Sequence, residues 1–166
     1  MASIVSVNTY THSVTYVTDK MLHSLKYIIT STGLDPMKFV HDWAVYELGI
    51  TTWLDSRHLE GLVLEVRSAL GSLVTRCDFT IDYSYGSGEG SMWVDTEALK
   101  YAIAKFGTIP HNCNYSVIVQ TKAGRPSVAG WGPASLLPTT GFVKQSLGTT
   151  IGTSYLGAQA SYYRKS

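Results

Sequence analysis

Side chains able to catalyse or to hold a metal are few in this chain, and their spacing works against both uses. The five histidines are His12, His23, His41, His58 and His111. No two stand at i and i+4 with a third ligand nearby, and no HExxH occurs, so no zinc site is expected. His41 and Asp42 precede Trp43 and suggest an acid–base pair. Adjacent helical positions point about 100° apart, however, so a solvated helix surface is the better reading. Asp78 and Asp82 are four residues apart, which in a strand is about 13 Å. That is too far to share a proton, and wider than the roughly 5–9.5 Å used by paired glycosidase carboxylates. Their simpler role is to pair with cations elsewhere in the fold. The glycine loop "GSGEGS" (86–91) lacks the Lys-Ser/Thr of a phosphate-binding loop, and no G-x-S-x-G order occurs. It reads as a connector between a hairpin and a helix. No catalytic set, no metal and no cofactor is expected.

The charge distribution offers a different chemistry. Residues 1–97 carry 6 Lys/Arg and 12 Asp/Glu, a net −6, whereas residues 98–166 carry 7 Lys/Arg and no acid, a net +7. Such asymmetry fits either an anionic partner or two parts of one fold that attract each other; the second is favoured. Lys122, Arg125, Lys144, Arg164 and Lys165 accompany Trp131, Tyr155, Tyr162 and Tyr163, a mixture that can neutralise phosphates and stack bases. Seven cations over the last 69 residues form no dense basic stripe, so a nucleic-acid-binding module is the runner-up. A small hydrolase ranks below it, for want of a nucleophile with its base.

The positioning elements follow from periodicity. Residues 1–17 are rich in Val, Thr, Ser and Tyr and are expected to be an extended or weakly paired arm. Met21, Leu22, Leu25, Ile28 and Ile29 lie on one face of a helix over 18–32, which Gly33 ends. Asp35 and Pro36 open a second helix running to about residue 56. Gly49 is expected to kink or break it. The period then becomes two. Leu62, Leu64 and Val66 form one face of a strand, and Leu73, Cys77, Phe79, Ile81 and Tyr83 form one face of the next, giving an antiparallel hairpin with one buried side. Asp95 caps a third helix ending at Gly107, and "NYSVIVQTK" is a strand with apolar residues on both faces. "AGRPSVAGWGPASLLPTTG" (123–141) is a long loop of the kind that usually carries function. "FVKQSLGTTI" is one more strand and "SYYRKS" a short edge piece. The expected fold class is α+β: three helices packed on one face of a mostly antiparallel sheet, with the last third wrapped around that body. A chain of 166 residues suits one domain with a real core. Cys77 and Cys113 make no disulfide framework. Without a leader pattern or an apolar run of membrane-spanning length, a cytoplasmic location is expected.

Several stretches together resemble the bacterial HORMA domain family: "THSVTYVTDK" (11–20), "TGLDP" (32–36), "SMWVDTEALKYAIAKFG" (91–107), "TKAGRPSVAGW" (121–131), "GFVKQSLGTT" (141–150) and the final "YYRKS". The resemblance covers nearly the whole chain. It implies a HORMA-like fold divided into an N-terminal arm (1–17), a core (18–122) and a mobile C-terminal safety belt (123–166). It also implies an interaction protein rather than an enzyme. The family is associated with cyclic-oligonucleotide anti-phage signalling (CBASS). A closure-motif peptide is captured as an added strand, and the belt closes over it. The closed form binds and activates a cGAS/DncV-like nucleotidyltransferase (CD-NTase), and an AAA+ remodelling ATPase reopens it through the arm, Met1 to Val17. On this resemblance Tyr115, Val117, Ile118, Val119 and Thr121 supply the strand edge. Gly124, Arg125, Pro126, Gly130 and Trp131 begin the belt, with Trp131 either a hydrophobic clasp or a fixed core residue. Phe142, Val143, Lys144, Leu147 and Ile151 form the belt strand, and Leu147, Ile151 and Tyr155 anchor it. That strand is expected beside strand 73–83, with Lys144 facing Asp78 and Asp82.

Overall fold

In the computed structural model, which describes residues 10–86, 91–106 and 109–166, the chain is α+β. The first helix, α1 (Tyr10–Ser31), is followed by α2 (Met37–His41) and α3 (Trp43–Asp55). Strands β1 (Leu59–Arg67) and β2 (Leu73–Asp82) form the hairpin, then come β3 (Trp93–Val94), α4 (Thr96–Phe106) and β4 (Asn114–Thr121). The chain ends in a second hairpin, β5 (Phe142–Gly152) and β6 (Gly157–Lys165). The six strands form one sheet in the order β3-β5-β6-β2-β1-β4, and every pairing is antiparallel.

The expected helix faces are present, with two corrections. Residues 10–17 are helical rather than extended; residues 1–9 of the expected arm, like residues 87–90 of the glycine loop and Gly107, lie outside the described residues. Val14 and Val17 continue the buried stripe of Met21, Leu25 and Ile28 at helical spacing. Burying two valines is worth more than the few tenths of a kcal/mol that β-branching costs a helix. The second correction is the break between α2 and α3, which falls at Asp42 (φ −91°, ψ 6°) and not at Gly49, which is buried within α3. Caps behave as their chemistry requires. The amide of Met37 donates to Asp35 Oδ1 at 3.0 Å and that of Ala98 to Asp95 Oδ1 at 3.2 Å. Gly33 ends α1 at φ +87°.

The C-terminal hairpin departs further from expectation. β6 is not an edge piece but a nine-residue strand inserted between β2 and β5. β2 is therefore an interior strand, and β5 pairs with β6 and β3 instead. The signal is faint because the core-facing residues of β6 include Ala158 and Ala160, whose small side chains lie opposite Ile81 and Phe79. Lys144 stands opposite Tyr163, not Asp78 or Asp82. Asp78 instead receives two 2.7 Å hydrogen bonds from Arg76 on its own strand, and Asp82 accepts from the Ser84 hydroxyl at 2.8 Å.

The first hairpin also has two buried faces, not one. Leu62, Leu64, Cys77 and Phe79 face the helices, while Val63, Glu65, Arg76 and Asp78 are buried on the opposite side. Loop 122–141 explains the second face: it runs from β4 at one edge of the sheet to β5 near the other, and its Leu137 amide donates to Glu65 Oε2 at 2.8 Å.

Candidate functional site

β4 is the end strand of the sheet, paired with β1 alone. Alternate amides and carbonyls along its outer side therefore have no strand partner. The loop after β4 does not pair with this edge. Among the described residues, the loop's main-chain bonds run from Lys122 back to His58, from Trp131 to Val128, from Phe142 to Thr139 and from Ser166 to Gly141, none of them to β4. It stands off the edge and leaves a slot of about 250 Å³ lined by Trp53, Val117, Ile118, Val119, Thr121, Arg125 and Trp131, with Gly132, Pro133 and Ala134 on the loop side. A second cavity of about 350 Å³ adjoins it, sharing Val117, Trp131 and Gly132 and adding Asp42, Val45, Tyr46 and Gly130.

Two tryptophans hold the loop in place. Trp53 is fully buried, and its Nε1–H donates to the carbonyl of Pro126 at 2.7 Å. Trp131 reaches in the opposite sense, from loop to helix, donating to the carbonyl of Val45 at 3.0 Å. The two rings meet edge-on at 5.1 Å, and Trp131 makes a second edge contact with Tyr46 at 6.0 Å. Burial and the nearby Asp42 and Tyr115 push the Tyr46 hydroxyl up to about 12, so it lines the wall as a neutral phenol. Arg125 lies 4.9 Å above the Trp53 ring. Gly49 permits the fit: a Cβ there would lie 2.3 Å from Trp131 Nε1. At Gly130 (φ +93°) a Cβ would lie 2.7 Å from Val45 Cγ1.

Most of the edge residues expected from the sequence converge on the slot. Val117, Ile118, Val119, Thr121, Arg125 and Trp131 all line it, and Trp131 does so as a half-buried ring on the loop. Tyr115 does not. It is buried beneath α2, where its hydroxyl donates to the Asp35 carbonyl at 2.6 Å and accepts from the Phe39 amide at 3.2 Å. Gly124 (φ +81°) shapes the turn after β4 without touching the slot.

In the second group, Phe142, Val143, Lys144, Leu147 and Ile151 lie in β5, opposite β6. Ile151 is fully buried, and Leu147 packs on the core at a register shift. Tyr155 sits in the turn between the strands, 43% exposed and 6.4 Å from the Tyr10 ring. Four further residues contribute to the slot and its loop. Glu65 gives only the signal of a lone acid between Leu64 and Val66. The pairing of Asp42 with His41 points to a helix surface, Gly49 to a helix interruption, and Trp53 carries no local signal of its bond to the loop.

What the arrangement can do chemically is bind an extended chain. An unpaired edge offers main-chain hydrogen bonds, and its flanking cavities offer places for alternate side chains. Among the described residues no group of three or more His, Cys, Asp or Glu side chains converges to hold a metal. No described helix is long and apolar enough to cross a membrane.

The comparisons agree with this geometry. The family model for bacterial HORMA domain 2 matches residues 2–166. No curated protein matches the chain by sequence. Among solved structures, a chain of a mitotic checkpoint complex superposes with a TM-score of 0.70 at 12% identity, over 95% of this chain and 97% of that one. C. elegans HTP-1 bound to the HIM-3 closure motif gives 0.68 at 8% identity, over 95% and 92%. A chain of the E. coli MS115-1 HORMA:CdnC:Trip13 complex gives 0.63 at 9% identity, over 100% and 96%. At such identities the likeness is one of fold.

Proposed function

The chain belongs to the bacterial HORMA domain 2 family, and we propose on that premise that it is a peptide-capturing signalling adaptor. An extended closure-motif peptide adds to the outer edge of β4, beneath loop 122–141. Residues 123–166 act as the safety belt. In the peptide-bound form the domain binds and activates a cGAS/DncV-like nucleotidyltransferase in anti-phage (CBASS) defence, and an AAA+ ATPase reopens it through the N-terminal arm. The setting is cytoplasmic, and the chain's role is binding rather than catalysis.

The observation that carries this reading is the combination at β4: an end strand with an unpaired outer side, crossed by a loop that is pinned to the helices by Trp53 and Trp131 yet leaves a slot. Main-chain bonds would supply much of the affinity, and the slot would supply selectivity.

The test is a titration of fluorescent nine-residue peptides against the full chain and its Trp131→Ala variant. Removing the ring deletes its hydrogen bond to Val45 and both edge contacts, so affinity should fall at least tenfold while the helical circular dichroism is retained. Equal affinity for the two proteins would mean that the belt does not clasp the peptide. A full chain that captures no peptide would dismiss the adaptor reading.

A further inference from the structure

The two cavities beside β4 carry opposite charges. The larger holds one carboxylate, Asp42, and no cation; the smaller holds one guanidinium, Arg125, and no acid. Both groups are uncommitted. Asp42 occupies the junction of α2 and α3, where its side chain makes no capping bond. Neither Asp42 nor Arg125 forms an ion pair among the described residues. Arg125 has only the Trp53 face beneath it. An acid with no ion-pair partner beside the Trp131 ring, and a cation 4.9 Å over an indole, are both available to a ligand.

Their placement along the edge is the second observation. Thr121 and Arg125 belong to one cavity, Asp42 to the other, and Val117 and Trp131 are shared. From Val117 to Thr121 is four residues of strand, about 13 Å. Asp42's cavity meets β4 at Val117 alone, whereas Arg125's slot extends along it to Thr121, so a strand added to β4 at the same rise would bring side chains up to about four residues apart beside the two charges. Between them the wall is apolar: Val117, Val119 and the two indoles.

We propose that the slot selects its peptide by charge order: an acidic side chain meets Arg125, a basic side chain about four residues away meets Asp42, and an apolar residue packs on Trp131 between them. Because the two charges differ, they also set the direction in which the peptide lies along β4. This deepens the adaptor reading and rests on it.

The probes are three nine-residue fluorescent peptides with the same alternating apolar residues. One carries Asp and, four residues later, Lys; the second has the two exchanged; the third has Ser at both. One charged peptide should bind at least tenfold more tightly than its reverse and than the Ser peptide, and the advantage should shrink in high salt. The double variant Asp42→Lys, Arg125→Glu should invert the preference. Both side chains stand outside the core, so the variant should melt as the parent does; Asp42→Asn and Arg125→Gln, each abolishing half of the preference, provide a milder check. Equal binding of all three peptides would overturn the charge-order proposal and leave peptide capture standing. Binding of none of them, in the parent protein, would overturn the capture reading and the proposal together.

Discussion

Single side chains decide how tightly the loop is held over the edge. Gly49 shows this most directly. In a solvent-facing helix, replacing it by Ala would raise helix stability by about 0.5–1 kcal/mol. Here the new Cβ would lie 2.3 Å from Trp131 Nε1. The ring must then move, and overpacking of that kind costs about 1–3 kcal/mol. Gly49→Ala should therefore speed amide hydrogen exchange across residues 126–137 while α3 stays protected; unchanged exchange in the loop would refute the packing argument. The sequence displayed Gly49 as an interruption because only its helix propensity is local. Its reason lies in Trp131, 82 positions later. Glu65 was hidden for the same kind of reason. A buried acid is tolerable only with partners, and its partner is the Leu137 amide of a loop. For Val117 to Thr121, by contrast, cover on both sides was readable from apolar residues on both faces of the strand, while their place at the edge was what the resemblance implied.

Among the elements, the C-terminal hairpin is the one whose attachment matters. Ile151 is fully buried, opposite Val94 on one side and Ala158 on the other. Ile151→Asp would bury a charge in the apolar core cluster that Ile151 belongs to, at a cost of several kcal/mol. The hairpin should leave its place while α1 and α3 remain folded, lowering peptide affinity by at least a hundredfold with little change in helical circular dichroism. Unchanged affinity would show that hairpin placement and peptide capture are independent. Three helices, the first hairpin and β4 were legible because each repeats an apolar period over enough residues. β6 was not, because alanines bury little area and its burial depends on α4, where Phe106 meets Tyr162 edge-on at 5.5 Å. The start of α1 was misread through its β-branched residues, which tertiary burial overrode.

For the molecule as a whole, the proposed function is a difference between two arrangements of one chain. Shifting such an equilibrium from 1:99 to 99:1 takes about 5.5 kcal/mol of differential binding. A peptide that binds only the native form, present at a hundred times its dissociation constant, stabilises by about 2.7 kcal/mol. For a domain of this length that is a rise in melting temperature of about 5–10 °C. A thermal melt that does not move with peptide concentration would count against a single peptide-linked native state. The opposed net charges of the two sequence parts suggested attraction between them, and one buried pair, Arg76 with Asp78, turns out to lie within a single strand. The apolar register of β6 against β2, more than charge, joins the two parts.

The path of loop 122–141 has a consequence for time rather than for affinity. It leaves β4 at one end of the sheet and re-enters at β5, four strand positions away, about 19 Å at about 4.8 Å per step. A peptide lying between that loop and β4 would be encircled by covalent chain on one side and sheet on the other, like a cord through a buckle. It could leave by sliding lengthwise, or after the buckle is undone. A free short peptide would slip out by the first route. The same segment inside a long chain, with a folded domain on either side, would have only the second, so its dwell time would be set by the unfastening of β6 from β2 and not by the strength of its own contacts.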